Sequence, residues 1–171
     1  NFGAGGNDSA KSLAVDSSGV YVTGGFSGTV NFNSSGSANL STPDVNTVNG
    51  YLVKLDGNGA YQWAHKVGDL GSGVALDTSA SYVHITGHFS GTNDFDPGAG
   101  TSNSSSLGST DAYLLTLNID GTFVRVARFG NSGTDQGRNI TVDSSGNVLS
   151  TGVFTTGSNS PVDFDPGSGS A

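Results

Sequence analysis

The sequence predicts an all-β chain built from repeated four-stranded antiparallel sheets, and three observations predict it. Short β-branched and aromatic runs alternate with Asp, Ser and Gly turns, and no window sustains the three-and-four apolar spacing of a helix. Composition agrees: 33% of the 171 residues are hydrophobic and only 12% are charged, with 28 glycines and much Ser, Thr and Asn, the usage of turn-rich β structure. Finally, a unit recurs at roughly 62 residues: Val15-Asp16 returns as Leu76-Asp77 and Val142-Asp143, and Tyr51 returns as Tyr113.

In the first unit, Ser12 to Asp16 reads as a short strand, Asp16-Ser17-Ser18-Gly19 as a tight turn, and Val20 to Phe26 as a second strand. A long connection follows. Tyr51 to Asp56 is then the third strand, Gly57-Asn58-Gly59 the next turn and Ala60 to Val67 the fourth strand. The second unit repeats the order as Ser72 to Asp77, Tyr82 to Phe89, Ala112 to Asn118 and Thr122 to Phe129. The third supplies Asn139 to Asp143 and Asn147 to Phe154.

Four-stranded meanders at a long period are the signature of a β-propeller, whose blades bury their faces only by stacking on neighbours. About two and a half blades fit, over residues 1–68, 69–130 and 131–171, the last carrying two strands and an Asp-rich loop. The strings GNDSAKSLAVDSSGVYVTGGFSG, GTDQGRNITVDSSGNVLSTGVF and YLVKLDGNGAYQWAHKVG resemble the bacterial SBBP-type β-propeller repeats, in a variant with an FDPG loop after the second strand. The resemblance implies a large exported or surface protein. A partial ring would expose strand edges and apolar faces, so the expected partners are further blades of the same protein or other copies of the chain.

The most recognisable phrase is the connection after each second strand. It runs Phe26 to Gly36, Phe89 to Gly100 and Phe154 to Gly169, each after a Thr-Gly pair, with an inner phenylalanine at Phe32, Phe95 or Phe164. Strand reversal puts these loops on one elaborated rim, together with the Gly-x-x-Gly-x-Asp connections that carry Asp8 and Asp135. Asp94 and Asp96, repeated as Asp163 and Asp165, offer paired carboxylates before a Pro-Gly turn, which are hard oxygen ligands suited to Ca²⁺. The same residues also suit an Asp-Pro-Gly turn whose carboxylates cap backbone N–H groups. Asn31 and Asn33 stand at the equivalent positions of the first unit. The phenylalanines are expected to anchor the loops to the blades, and Asp8 and Asp135 to hold loop backbone.

His84 and His88 share one side of a strand, but their counterparts are Tyr21 and Gly25, so packing explains them better than a metal. No Gly-x-Ser-x-Gly elbow, His-Glu-x-x-His or phosphate-cradling loop occurs. The chain has no Cys, which excludes disulfides and thiolate chemistry. A net charge of −8 with six Lys and Arg argues against nucleic acid, and no apolar run is long enough for a membrane helix. A start at Asn1 and the absence of Met suit a processed chain or a piece of a longer one. The expected function is a non-catalytic extracellular scaffold, structural or adhesive, secreted or on a bacterial surface, with Ca²⁺ rigidifying the Asp-rich rim. The alternative is a calcium-dependent lectin or adhesin that binds a surface glycan or protein; a glycan-active enzyme ranks below both.

Overall fold

A computed structural model describes residues 6–77, 79–155, 162 and 164. The first sheet takes strands β1 (Ser9–Asp16), β2 (Gly19–Ser27), β5 (Val48–Leu55) and β6 (Tyr61–Lys66) as an antiparallel meander. Between β2 and β5 the chain forms a hairpin of its own, β3 (Thr29–Asn31) with β4 (Asn39–Ser41). The second sheet repeats the plan with β7 (Leu70–Leu76), β8 (Tyr82–Phe89), β11 (Asp111–Asn118) and β12 (Phe123–Phe129), and inserts hairpin β9 (Thr92–Asp94) with β10 (Asn103–Ser105). A third sheet pairs β13 (Gln136–Val142) with β14 (Val148–Val153). The described residues contain no helix and no closed sheet. This is the all-β architecture of partial propeller blades.

One expectation changes. The long connection is not a plain loop, because each copy contains a hairpin of three-residue strands. It also turns back over its own blade. Phe32 and Phe95 fold back onto the third strand of their own blades, with ring centroids 4.9 Å from Tyr51 and 5.0 Å from Tyr113. Burying a phenyl ring outweighs leaving it on an exposed loop, so each hairpin lies across the flat of its blade.

Register explains the Thr-Gly signature. All three first strands bulge at one place, between Ala10 and Ser12, Gly71 and Gly73, and Gly137 and Asn139. The bulge drives the carbonyls of Ser9, Leu70 and Gln136 onto Gly24, Gly87 and Gly152, where a side chain would overlap them. The preceding threonines turn sideways: Thr23 Oγ1 donates to Tyr51 O at 2.6 Å and Thr86 Oγ1 to Tyr113 O at 2.8 Å.

Blades 1 and 2 share a core. Tyr21 and Leu52 of the first sheet pack with Val74, Ile85, Phe95, Tyr113 and Leu115 of the second. The phenol of Tyr113 donates to the carbonyls of Val67 and Leu70, both at 3.2 Å, and so ties the crossover between blades. Lys54 adds a bond to Ile119 O at 3.3 Å and lies over the Tyr21 ring. On the opposite face of blade 1, Phe26, Val30, Phe32, Tyr51 and Val53 form a second cluster roofed by hairpin β3–β4.

Candidate functional site

Every acidic side chain in the sequence is aspartate, and at most of the described ones the structure shows a use for so short a side chain. Aspartate is short enough for one oxygen to reach the N–H two residues ahead, which closes a tight turn. At the ends of the strands, Asp16 accepts from Ser18 N and Gly19 N, Asp56 from Asn58 N and Ala60 N, and Asp143 from Ser145 N and Asn147 N. Asn147 also donates its side-chain amide to Asp143, and these bonds hold that carboxyl below its ordinary value.

The Asp-rich connection obeys the same rule. Asp94 Oδ1 accepts from Asp96 N at 3.0 Å and Ser102 N at 2.8 Å, and Asp96 Oδ1 accepts from Gly98 N at 2.8 Å. The Ser102 and Asp96 amides stabilise the ionised form of Asp94 and lower its pKa. Asn31 and Asn33 do likewise through amide oxygens: Asn31 takes Asn33 N and Ala38 N, and Asn33 takes Ser35 N. Among the described residues no three His, Cys, Asp or Glu side chains group closely enough to hold a metal ion. Asp163 and Asp165 lie outside the described residues.

Asp8 and Asp135 hold backbone, as expected from their place before a first strand. Asp135 is buried and accepts from Asn131 N and Thr155 N, both at 2.8 Å, and Asp8 accepts from Ser27 N at 3.4 Å. Sequence reasoning missed their counterpart Asp69, which takes the hydroxyl of Ser90 at 2.6 Å. Ser27, Ser90 and Thr155 each follow the phenylalanine at the exit of a second strand, so one clasp recurs in all three units. Asp111 was also missed as a structural group. It is buried, accepts from Leu107 N at 3.0 Å and pairs with Arg128 at 2.7 Å, fixing the return of the chain from the hairpin into β11.

Hairpin β9–β10 is a wedge between blades rather than a rim decoration. Its tip, Asp96 to Gly100, lines a cleft of about 370 Å³ with Trp63 and His65 of β6 and with the turn Asp120 to Phe123. That turn belongs to the rim that strand alternation sets opposite the FDPG loop. Trp63 and His65 stack with centroids 4.9 Å apart, and burial lowers the pKa of His65. His84 and His88 do not converge on a site. His84 is buried with Nδ1 3.0 Å from Thr116 Oγ1, and burial lowers the pKa of both.

The remaining feature is a pair of bare faces. Leu13 of β1 aligns with Val74 of β7 and Ile140 of β13. Val74 is 5% and Ile140 6% exposed, each covered from the side of the preceding blade, whereas Leu13 is 64% exposed and neighbouring Val15 61%. At the other end, Leu149 of β14 aligns with the fully buried Tyr21 and is 50% exposed. An apolar hollow of about 230 Å³ opens on the blade 1 face, lined by Asp8, Ala10, Val22, Phe26, Phe32 and Tyr51 among others.

Repeated four-stranded sheets stacked face to face, with apolar faces left bare at both ends among the described residues, define an array of propeller-type blades. Residues 124–158, from β12 through β14, match the family described as SBBP, Beta-propeller repeat. A search of curated proteins finds no match to the chain.

Proposed function

We propose that the chain is a non-catalytic scaffold segment whose bare blade faces are completed by further blades, in an exported or surface-attached assembly. The observation that carries this is Leu13, 64% exposed where its two internal counterparts are buried. Exposed apolar surface of this kind favours association by roughly 25 cal/mol per Å² covered. The use of the described carboxylates as backbone acceptors favours a structural role over acid–base chemistry. The chain lacks cysteine, which makes a direct test available. In cells that make the protein, a thiol introduced by Leu13→Cys should be shielded from a membrane-impermeant reagent, and one introduced by Val45→Cys on the exposed hairpin flank should react. Equal labelling of Leu13→Cys in the cell and in the purified chain would sink the reading.

The cleft between β6 and hairpin β9–β10 favours a second reading, contact with a hydroxyl-rich ligand such as a glycan. It combines the Trp63–His65 stack with the carboxylates of Asp96 and Asp120. Trp63 is the sole tryptophan, so its fluorescence reports on the cleft directly. Titration with neutral and acidic oligosaccharides that leaves the emission unchanged removes this reading.

A further inference from the structure

The blades meet through a threonine set against a glycine. Thr23 of blade 1 approaches Gly71 of blade 2 so closely that a methyl group on residue 71 would overlap the Thr23 hydroxyl, and Thr86 stands in the same relation to Gly137 of β13. The glycine is required by close approach, since neither Gly71 nor Gly137 has a positive φ. Nor can the threonine simply rotate away, because its hydroxyl is committed to the carbonyl of Tyr51 or Tyr113. Register identifies the same position in blade 1: Ala10 pairs with Gly24 as Gly71 pairs with Gly87 and Gly137 with Gly152, next to the same bulge. Ala10 is exposed and lines the apolar hollow on the bare face.

We propose that Ala10 makes the bare face of blade 1 selective: it rejects a threonine-bearing second strand and accepts a preceding blade with alanine or glycine at that position. The second strands of this chain carry Thr23, Thr86 and Thr151, so a second copy is refused at the position where it would otherwise dock head to tail. The inference rests on the scaffold reading and names the kind of blade the face takes. It follows from continuity with the two junctions inside the chain, which share one threonine–glycine contact, whereas Ala10 adds a methyl group at the matching position of the bare face. Ala10 thereby discriminates against open-ended stacking of copies, the hazard of a head-to-tail interface that does not close.

The junction rule is tested inside the chain by a double-mutant cycle in urea. Gly71→Ala should lower stability, and Thr23→Ala should cost much less, or become stabilising, when it is combined with Gly71→Ala, with coupling of about fivefold or more in the folding constant. Additive effects would overturn the rule. The bare face is tested by sedimentation: wild type should stay monomeric where Ala10→Gly associates with increasing concentration, and Thr151→Ala with Ala10 retained should associate likewise. Wild type associating as tightly as Ala10→Gly would overturn the proposal. A coupled cycle with a monomeric Ala10→Gly keeps the rule and counts against blade docking, which separates failure of the inference from failure of the scaffold reading.

Discussion

Hairpins β3–β4 and β9–β10 share turn chemistry but not surroundings. Each presents an inner phenylalanine to the tyrosine of its third strand, and each closes its turn on an oxygen two residues before a backbone amide. The first copy uses asparagine oxygens and roofs a face with no blade beyond it among the described residues; the second uses aspartate and is wedged between two blades. The hairpin is thus a property of a single blade. What a blade gains from its predecessor is the second layer of burial around the same residues.

The largest expected effect tests that division. Phe95→Ala empties a ring buried in the core shared by blades 1 and 2, and should cost about 3–5 kcal/mol in urea unfolding. Phe32→Ala removes an equally hidden ring beside the open hollow, where the hairpin can settle toward the blade, and should cost less. Equal losses would show that the neighbouring blade adds nothing. Next in size is Tyr113→Phe, which strips a buried donor from two carbonyls of the crossover and should cost about 1–2 kcal/mol. Tyr51→Phe, whose hydroxyl meets no such carbonyls among the described residues, should be nearly silent. If Tyr51→Phe costs as much, the phenol acts within its blade and not across the junction.

How far the sequence foretold this depends on the kind of interaction. The eight-residue strands were legible because Tyr82 to Phe89 and Asp111 to Asn118 mix β-branched and aromatic residues between turn signals, and tertiary packing only moved their ends. The inserted hairpins were not, since Asn39-Leu40-Ser41 and Asn103-Ser104-Ser105 carry no alternation that separates three-residue strands from loop. The phenylalanine anchors were legible from repetition, but the direction of the fold-back was not, because strand order alone says nothing about a loop lying flat on its sheet. Asp69 was hidden by the shortened turn before it. Nothing in the sequence sets Ala10 apart, and its meaning rests on the contact of Thr23 with Gly71.

Acid should separate the blades' cores from their turns. Burial lowers the pKa of His65, His84 and His88, all in β6 and β8, from the ordinary 6.5. The unfolded chain therefore takes up protons first, and stability should begin to fall as pH drops below about 6.5. The hairpin and turn carboxyls respond later. Amides of Asn46 and Thr47 depress Asp44, and those of Ser102 and Asp96 depress Asp94, so their contribution is full above the ordinary 3.8 and is lost as pH falls through their lower folded values. Urea midpoints against pH should show two windows, and His84→Asn should flatten the upper one only. A single fall confined below about pH 4 would mean the histidines are not desolvated.

The smallest effect bears most directly on what the second hairpin's charge is for. Asp94→Asn with Asp96→Asn converts the hairpin to the chemistry of Asn31 and Asn33, which close the same turn with oxygens at 3.0 Å. If the turn needs only an acceptor, stability at neutral pH should change by less than about 0.5 kcal/mol. Below pH 3.8 the variant should overtake wild type, because it has no Asp94 carboxylate to lose. Calcium sharpens the same comparison. Two carboxylates that each commit one oxygen to backbone leave few ligands for an ion that takes about six to eight. Millimolar calcium should then shift the melting temperature of wild type and variant alike. A shift in wild type that chelator reverses and the variant lacks would show that Asp94 and Asp96 are kept for their charge, making the second hairpin a cation site where the first is only a turn.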